Sequence, residues 1–426
     1  MPSRLRRSLA GVVVAALLAG LGQVHAQGDG ESAAALDLFD EAAYHLAFYV
    51  GPAEVRPRDL VPRERARLEA RCAEPAGCST DDALGALEAL IGELDDGHTG
   101  LIAPDRFDRL RLQLGGGGEV VSFGAVLRQP TAGLGLVVID VVPGSAAANA
   151  GLARGDRVMA LNGDYLPADR RARTGAWSDA EAEGEARLLV LRAGEAPFEL
   201  DLRATPVALD RAPSMTLLDG DVAWIRIPSF LRTGVAQEVH DLVRSAAAGG
   251  ASHLVVDVRD NPGGRLVECL AAAGAFADAF AYGVRASLVP QTLRWEGGVL
   301  SIIDPTGRAF PQSLVEEPTR WDGPAAMLVN GGSASCAEQI AYAVQRYAGV
   351  PVVGETTSGV LDSATSFAAL SNGMGIAVTT ARISDAEGVV LPAVVTPDHA
   401  IADDLMALAD GRDEVLRGAI DLLLGR

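Results

Sequence analysis

Apolar and polar positions change rhythm three times along the chain, and each rhythm predicts a different kind of element. From residue 33 to about 110 apolar residues recur at helical spacing. Residues 35–49 carry one apolar face, and Leu84, Leu87, Leu90, Ile91 and Leu94 form another behind the cap Ser79-Thr80-Asp81-Asp82. That helix ends at Asp95-Asp96-Gly97, whose turn chemistry puts His98 on a turn or at the start of the short run 98–102. Beyond the glycine linker Gly115 to Gly118, short runs bounded by turn residues predict strands at 120–127, 135–141, 157–161, 187–191 and 198–202, a compact all-β-like module. Within it Pro143-Gly144 makes a turn, 146–150 a short helix ended by Gly151, and Asn162-Gly163 a hairpin. After Pro206 and Pro213 strands and helices alternate: strand 222–227, helix 233–247, strand 253–258, helix 266–277.

The stretch AMLVNGGSASCAEQIAYAVQ (326–345) joins a buried strand, a Gly-rich turn and a helix. Ser335 sits at the turn-to-helix junction, where unpaired backbone N–H groups and the helix dipole favour developing negative charge. Its small neighbours leave room for a substrate, so it is the candidate nucleophile. Ser335 to Glu338 also reads as a capping box, in which the hydroxyl only closes the helix end. A second strand-to-helix turn, Asn261-Pro262-Gly263-Gly264, exposes backbone N–H groups that no side chain covers, a second source of oxyanion donors.

Composition narrows the chemistry. The chain has 426 residues, 49% hydrophobic but 5% aromatic, which predicts two or three domains with cores of Ala, Val and Leu. Net charge is −20, so nucleic acid and anionic membranes are poor partners. All 36 basic residues are Arg, which excludes a lysine base. Six scattered His without CxxC or HExxH spacing predict no metal site and no cofactor. Cys72 and Cys78 either close a small loop or remain free thiols. Cys269 and Cys336 read as small buried hydrophobes, Cys336 with the alternative of being a nucleophile beside Ser335. Arg4, Arg6 and Arg7, an apolar run from Leu9 to Leu21 and Val24-His25-Ala26 read as a cleaved leader over residues 1–26. A periplasmic or secreted protein is expected, and no later apolar run of 18 residues argues for a membrane span.

The run PGSAAANAGLARGDRVMALNG (143–163) resembles a PDZ domain. That resemblance implies strand addition of an extended peptide, its carboxylate held near Phe123, Gly124, Ala125 and Val126. With IRIPSF (225–230), DVRDNPGG (257–264), VNGGSASCAE (329–338), VVGET (352–356) and VTPDHAI (395–401), nearly the whole mature chain resembles the tail-specific, or carboxy-terminal processing, serine peptidases. The family implies an α/β fold: a strand-strand-helix spiral core (crotonase/ClpP-like) over 210–426, a helical N-terminal segment over 33–110 and an inserted PDZ-like β domain over 118–204. It further implies an exported endopeptidase acting on polypeptides with free carboxy-terminal tails. Ser335 takes the nucleophile's place, and the amides of Cys336 and of Gly263 or Gly264 form the oxyanion hole. The Ser-Lys branch has its Lys in a Gly-Lys-Gly-Thr-Val-Gln run, but residues 359–364 here read GVLDSA. The Ser-His branch, similar to the tricorn core protease, uses an N-terminal His, a neighbouring Ser and a late Glu. His98 matches that His and becomes the candidate base, with an imidazole titrating near 6.5. Gly97 stands where that branch has its Ser, and Leu391-Pro392 where it has its Glu-Gly. Asp362, Ser363, Glu355 and Glu387 remain as alternative orienters of His98. The lost family residues leave a second expectation, a peptide-binding pseudopeptidase.

Overall fold

Three helices, Gly30–Leu46, Pro57–Cys72 and Thr80–Leu94, open the computed structural model, which describes residues 30–426 except 116, 210 and 220. The expected leader lies outside the described residues. The apolar faces read from the spacing meet one another through Leu38, Phe39, Leu87 and Leu90, and they also bury Leu370, Ile376 and Val378 from the far end of the chain. Ser79 caps the third helix in a capping box with Asp82, and Asp95 ends it in the left-handed region at φ 46°. The strand Gly100–Ile102 then pairs antiparallel with Gly375–Ser384. Two turns of sequence chemistry thus deliver His98 to a sheet completed nearly 280 residues later.

The inserted module orders its strands Ala125–Arg128, Leu136–Val141, Arg157–Leu161, Glu185–Leu191 and Phe198–Arg203. The strand expected at 120–127 is broken in two. Glu119–Ser122 pairs with Thr205–Ala208, while Ala125–Arg128 pairs with Leu136–Val141. The break falls at Gly124, with φ 80°, where a Cβ would lie 2.2 Å from that of Ser145. The module is also not all β. A helix, Arg170–Glu183, packs on it with Arg173, Trp177 and Ala180 buried and Ala176 partly so, a stripe too narrow to read from spacing.

The C-terminal region contains two sheets. One runs Ser214–Leu218, Val222–Arg226, His253–Asp257, Ala325–Val329, Val352–Gly354, His399–Ala400, parallel after its first pair. Its Ala325–Val329 strand is buried at all five positions, as expected of a strand covered on both faces. The other, antiparallel sheet runs Gly100–Ile102, Gly375–Ser384, Ala279–Ala286, Gln291–Glu296, Val299–Ile303, Ala309–Gln312, with Ser363–Ala369 beside Gly375–Ser384. The helices Val235–Ala248, Leu266–Ala273 and Cys336–Ala343 share one core with residues of both sheets. Strands and helices therefore do not alternate throughout, since four consecutive antiparallel strands occupy 279–312.

Cys72 is bonded to Cys78, and Cys269 to Cys336. The second bond corrects the reading of Cys269 and Cys336 as plain buried hydrophobes. They lie 67 residues apart, on helices that only the tertiary fold brings together.

Candidate active site

Two Asn-led turns build the centre of the site. Asn261 Oδ1 accepts from Gly263 N–H at 2.8 Å and Asn330 Oδ1 from Gly332 N–H at 3.0 Å. Each is an Asx turn that lets the chain leave a parallel strand sharply before a helix. The turns are tied together: Ala334 N–H donates to Asn261 O at 3.0 Å, and Asp260 N–H to Asn330 Oδ1 at 2.9 Å. Ser335 is held at φ 53°, ψ −112°, and Asp260 at φ 58°. Positive φ is costly for a residue with a Cβ, on the order of 1–3 kcal/mol each, and persists only where its surroundings impose it. Ser335 N–H donates to Glu338 Oε2 at 2.7 Å, the Glu half of the capping box.

Gly263 meets the serine directly, and Gly264 packs on the Phe230 backbone. A Cβ on Gly263 would lie 2.8 Å from Ser335 Cβ and 2.9 Å from Cys336 N, and one on Gly264 would lie 2.1 Å from the Phe230 carbonyl carbon. Neither position accepts a side chain. Gly263 N–H is already engaged by Asn261. The N–H groups of Cys336 and Gly264 donate to no acceptor among the described residues. Of the two glycine amides named from sequence, that of Gly264 is therefore the one without an acceptor among the described residues. The Cys336 sulfur is bonded to Cys269, which removes it as a nucleophile.

Glu338 connects this turn to the segment that meets His98. Fully buried, its carboxylate accepts from Ser335 N–H, Val360 N–H, Gly359 N–H and the Thr357 hydroxyl. Burial raises its pKa against the pull of those hydrogen bonds. Gly97 packs on Val360, where a Cβ would come within 3.1 Å of Cγ1. Three residues on, Ser363 Oγ hydrogen-bonds His98 Nδ1 at 2.8 Å. Asp96 fixes the His98 turn, accepting from His98 N–H at 3.1 Å and from the Thr99 and Thr379 hydroxyls. Burial pushes the His98 imidazole down to about 4, with the Asp96 charge opposing, so it does not titrate near 6.5. No hydrogen bond joins His98 to Ser335 among the described residues, and the two are linked through Glu338 and the 357–363 segment. Apo sites often hold such pairs apart until substrate tightens them.

The acidic candidates for orienting His98 lie elsewhere. Asp362 is ion-paired with Arg382 at 2.7 Å. Glu355 accepts from Asp403 N–H at 3.1 Å, and Glu387 is exposed in a turn closed by Asp385.

Known proteins resemble this chain in both its inserted module and its C-terminal region. The family model described as Peptidase family S41 matches residues 221–401, and that of the PDZ domain matches 112–172. The carboxy-terminal processing protease CtpA of Bacillus subtilis is 24% identical over 72% of this chain. The carboxyl-terminal-processing protease of Synechocystis is 27% identical over 80%. Residues 221–401 thus carry the Peptidase family S41 match, and over most of its length the chain is similar to carboxy-terminal processing peptidases. It spans 61% of the length of the first relative and 76% of the second. In fold, it is similar to the photosystem II D1 C-terminal processing protease at 22% identity and a TM-score of 0.50, covering 91% of this chain and 97% of that one.

In the PDZ-matched module the loop named for peptide binding is already engaged. Phe123 N–H donates to Glu181 Oε1 at 3.1 Å and Gly124 N–H to Ser122 Oγ at 3.0 Å. Ala125 and Val126 begin the edge strand Ala125–Arg128, whose outer side pairs with no strand among the described residues. The module is joined to the core by ion pairs: Arg128 with Asp260 and Asp403, Arg154 with Asp413, and Asp140 with Arg226. Asp96, Asn261 and Asn330, which hold the turns, were not singled out from sequence, although each stands in a strand-end or helix-end turn pattern with Gly one or two residues on. Among the described residues no helix is long and apolar enough to cross a membrane.

Proposed function

We propose that the chain is an exported serine endopeptidase of the Ser-His type that acts on polypeptides with free carboxy-terminal tails, working in the periplasm or outside the cell. The observation that carries this reading is Ser335 itself, held at positive φ on a helix N-terminus, with Gly263 packed on its Cβ and the neighbouring amides of Cys336 and Gly264 without acceptors among the described residues. A serine that only capped its helix would need neither the strain nor the open amides.

In this mechanism His98 Nε2 removes the Ser335 proton as Oγ attacks the scissile carbonyl carbon. The oxyanion lodges on the two amides, and His98 returns the proton to the leaving amine. Water then takes the serine's part and frees the acyl group, with His98 again as base. Ser363 holds Nδ1 and so leaves Nε2 as the reacting nitrogen. The leader pattern of residues 1–26 supports export, and the PDZ module supports capture of tails.

The test is cleavage of an unfolded reporter with an apolar tail. The unmutated chain is expected to cut it and Ser335→Ala to lose activity by about 10³-fold or more. A chain that binds the tail but never cuts it would instead be the peptide-binding pseudopeptidase.

A further inference from the structure

In the inserted module, helix Arg170–Glu183 runs antiparallel to residues 122–129. Arg170 and Thr174 meet Gln129, Trp177 meets Phe123 in a T-shaped ring contact at 5.5 Å, and Glu181 meets Ser122 and Phe123. Between this helix and the edge strand Ala125–Arg128 lies the groove where an added peptide strand would run. Side chains bridge it at both ends. At the far end Gln129 Nε2 donates to Arg170 O at 2.7 Å and to the Thr174 hydroxyl. At the near end the Glu181 carboxylate accepts from Phe123 N–H at 3.1 Å and from the Ser122 hydroxyl at 2.6 Å. The same Ser122 oxygen accepts from Gly124 N–H at 3.0 Å. A single internal carboxylate thus takes up, directly or through one hydroxyl, the donors of two successive backbone amides.

We propose that Glu181 is an internal stand-in for a peptide's terminal carboxylate. A tail with a free α-carboxylate enters only by expelling Glu181 from the Ser122-Phe123-Gly124 loop. The inference rests on the reading that this module captures tails. The chemistry on either side of the exchange is alike, a carboxylate accepting from backbone N–H and hydroxyl donors, so the exchange is near balanced in hydrogen bonds. What the tail must add is apolar and strand-pairing contact along the groove. Two anions cannot share the loop, so Glu181 lowers the apparent affinity by the fraction of molecules in which it is docked. Peptides with weak side-chain contacts are rejected, and Glu181 sets the threshold of tail selection.

The experiment measures binding to the full chain in a Ser335→Ala background, where nothing is cut. The probes are two fluorescent peptides of one apolar sequence, one ending in a free carboxylate and one in a carboxamide. Glu181→Ala is expected to bind the free-carboxylate peptide about tenfold more tightly and to leave the carboxamide peptide unchanged. Glu181→Gln, which keeps the shape and loses the charge, is expected to show a smaller gain of the same selectivity, and it decides the matter if the Ala variant unfolds. Unchanged or weaker binding of the free-carboxylate peptide, or an equal gain for both peptides, overturns the proposal. Reporter cleavage by the Ser335 chain is read separately, so an inactive enzyme and an unlatched groove cannot be confused.

Discussion

In the proposed mechanism Ser335, His98 and Ser363 divide one task among three side chains, and their environments set what each can do. Burial keeps the His98 imidazole neutral down to about pH 4, so it is available as a base across the whole neutral range. The sign follows: the base is lost as the pH falls through the folded value, so kcat/KM is expected to rise through about 4 and to be level from 6 to 8. The pH–rate profile of reporter cleavage checks this, and a rise centred near 6.5 would mean that the imidazole is solvated. Ser363→Ala removes the partner of Nδ1 while leaving the base in place. It is expected to lower kcat roughly tenfold to a hundredfold with KM unchanged, less than the loss expected on removing His98 itself. At this scale the sequence is legible where chemistry and chain position coincide. Ser335 stands out because strand, Gly-rich turn and helix are contiguous. The partner of His98 does not, because Ser363 lies 265 residues away and competes with three carboxylates that look better suited. Asp362 loses that competition to Arg382, which is buried against it.

The elements that matter are the two helices that begin beside the site. Leu266–Ala273 follows Gly264 and Cys336–Ala343 follows Ser335, so the two open amides stand at the starts of neighbouring helices. The Cys269–Cys336 disulfide fastens these helices together, with both residues 0–1% exposed. Closing a loop of 67 residues stabilises by about 4 kcal/mol in the chain-entropy account. The double variant Cys269→Ala, Cys336→Ala is therefore expected to lower Tm by several degrees. It should also lower kcat more than it raises KM, because the backbone amide of residue 336 survives but its placement loosens. Thermal unfolding and steady-state kinetics on one preparation check both parts. The spacing of apolar positions foretold the helices Gly30–Leu46, Thr80–Leu94, Val235–Ala248, Leu266–Ala273 and Cys336–Ala343 and the parallel strands Val222–Arg226, His253–Asp257 and Ala325–Val329. It does not show Arg170–Glu183, where three buried residues give no clear stripe, or the 279–312 meander, whose first strand alternates buried with less buried positions.

Across the whole molecule, the inserted module and the core are joined by charge. Arg259 lies buried between Asp257, Asp403 and Asp413, and Arg154 reaches Asp413 from the module. Burial disfavours ionised Asp413, but the hydrogen bonds and charges of Arg259 and Arg154 outweigh it and hold its carboxyl far below the usual carboxylate range. A depressed carboxylate gives stability that is present above its unfolded value near 3.9 and is lost as the pH falls through the folded one. Asp413→Asn leaves Arg259 short of a counter-charge and is expected to cost about 3 kcal/mol at pH 7, yet to lose less than the parent between pH 4 and 2. Urea unfolding at the two ends of that range checks the sign. These pairs were invisible in the sequence, since an all-Arg, acid-rich chain offers many partners for each charge. The Peptidase family S41 and PDZ matches, by contrast, fall on short motifs legible in the sequence. The account stands or falls on Ser335 acting as a nucleophile with His98 as its base, and covalent capture by a peptidyl phosphonate at pH 7 tests that most directly. One label per chain, located on Ser335 by mass spectrometry and slowed by about 10²-fold or more in His98→Ala, is the predicted result. Absence of label under conditions where the chain is folded, or labelling of Ser335 at an unchanged rate in His98→Ala, would contradict it.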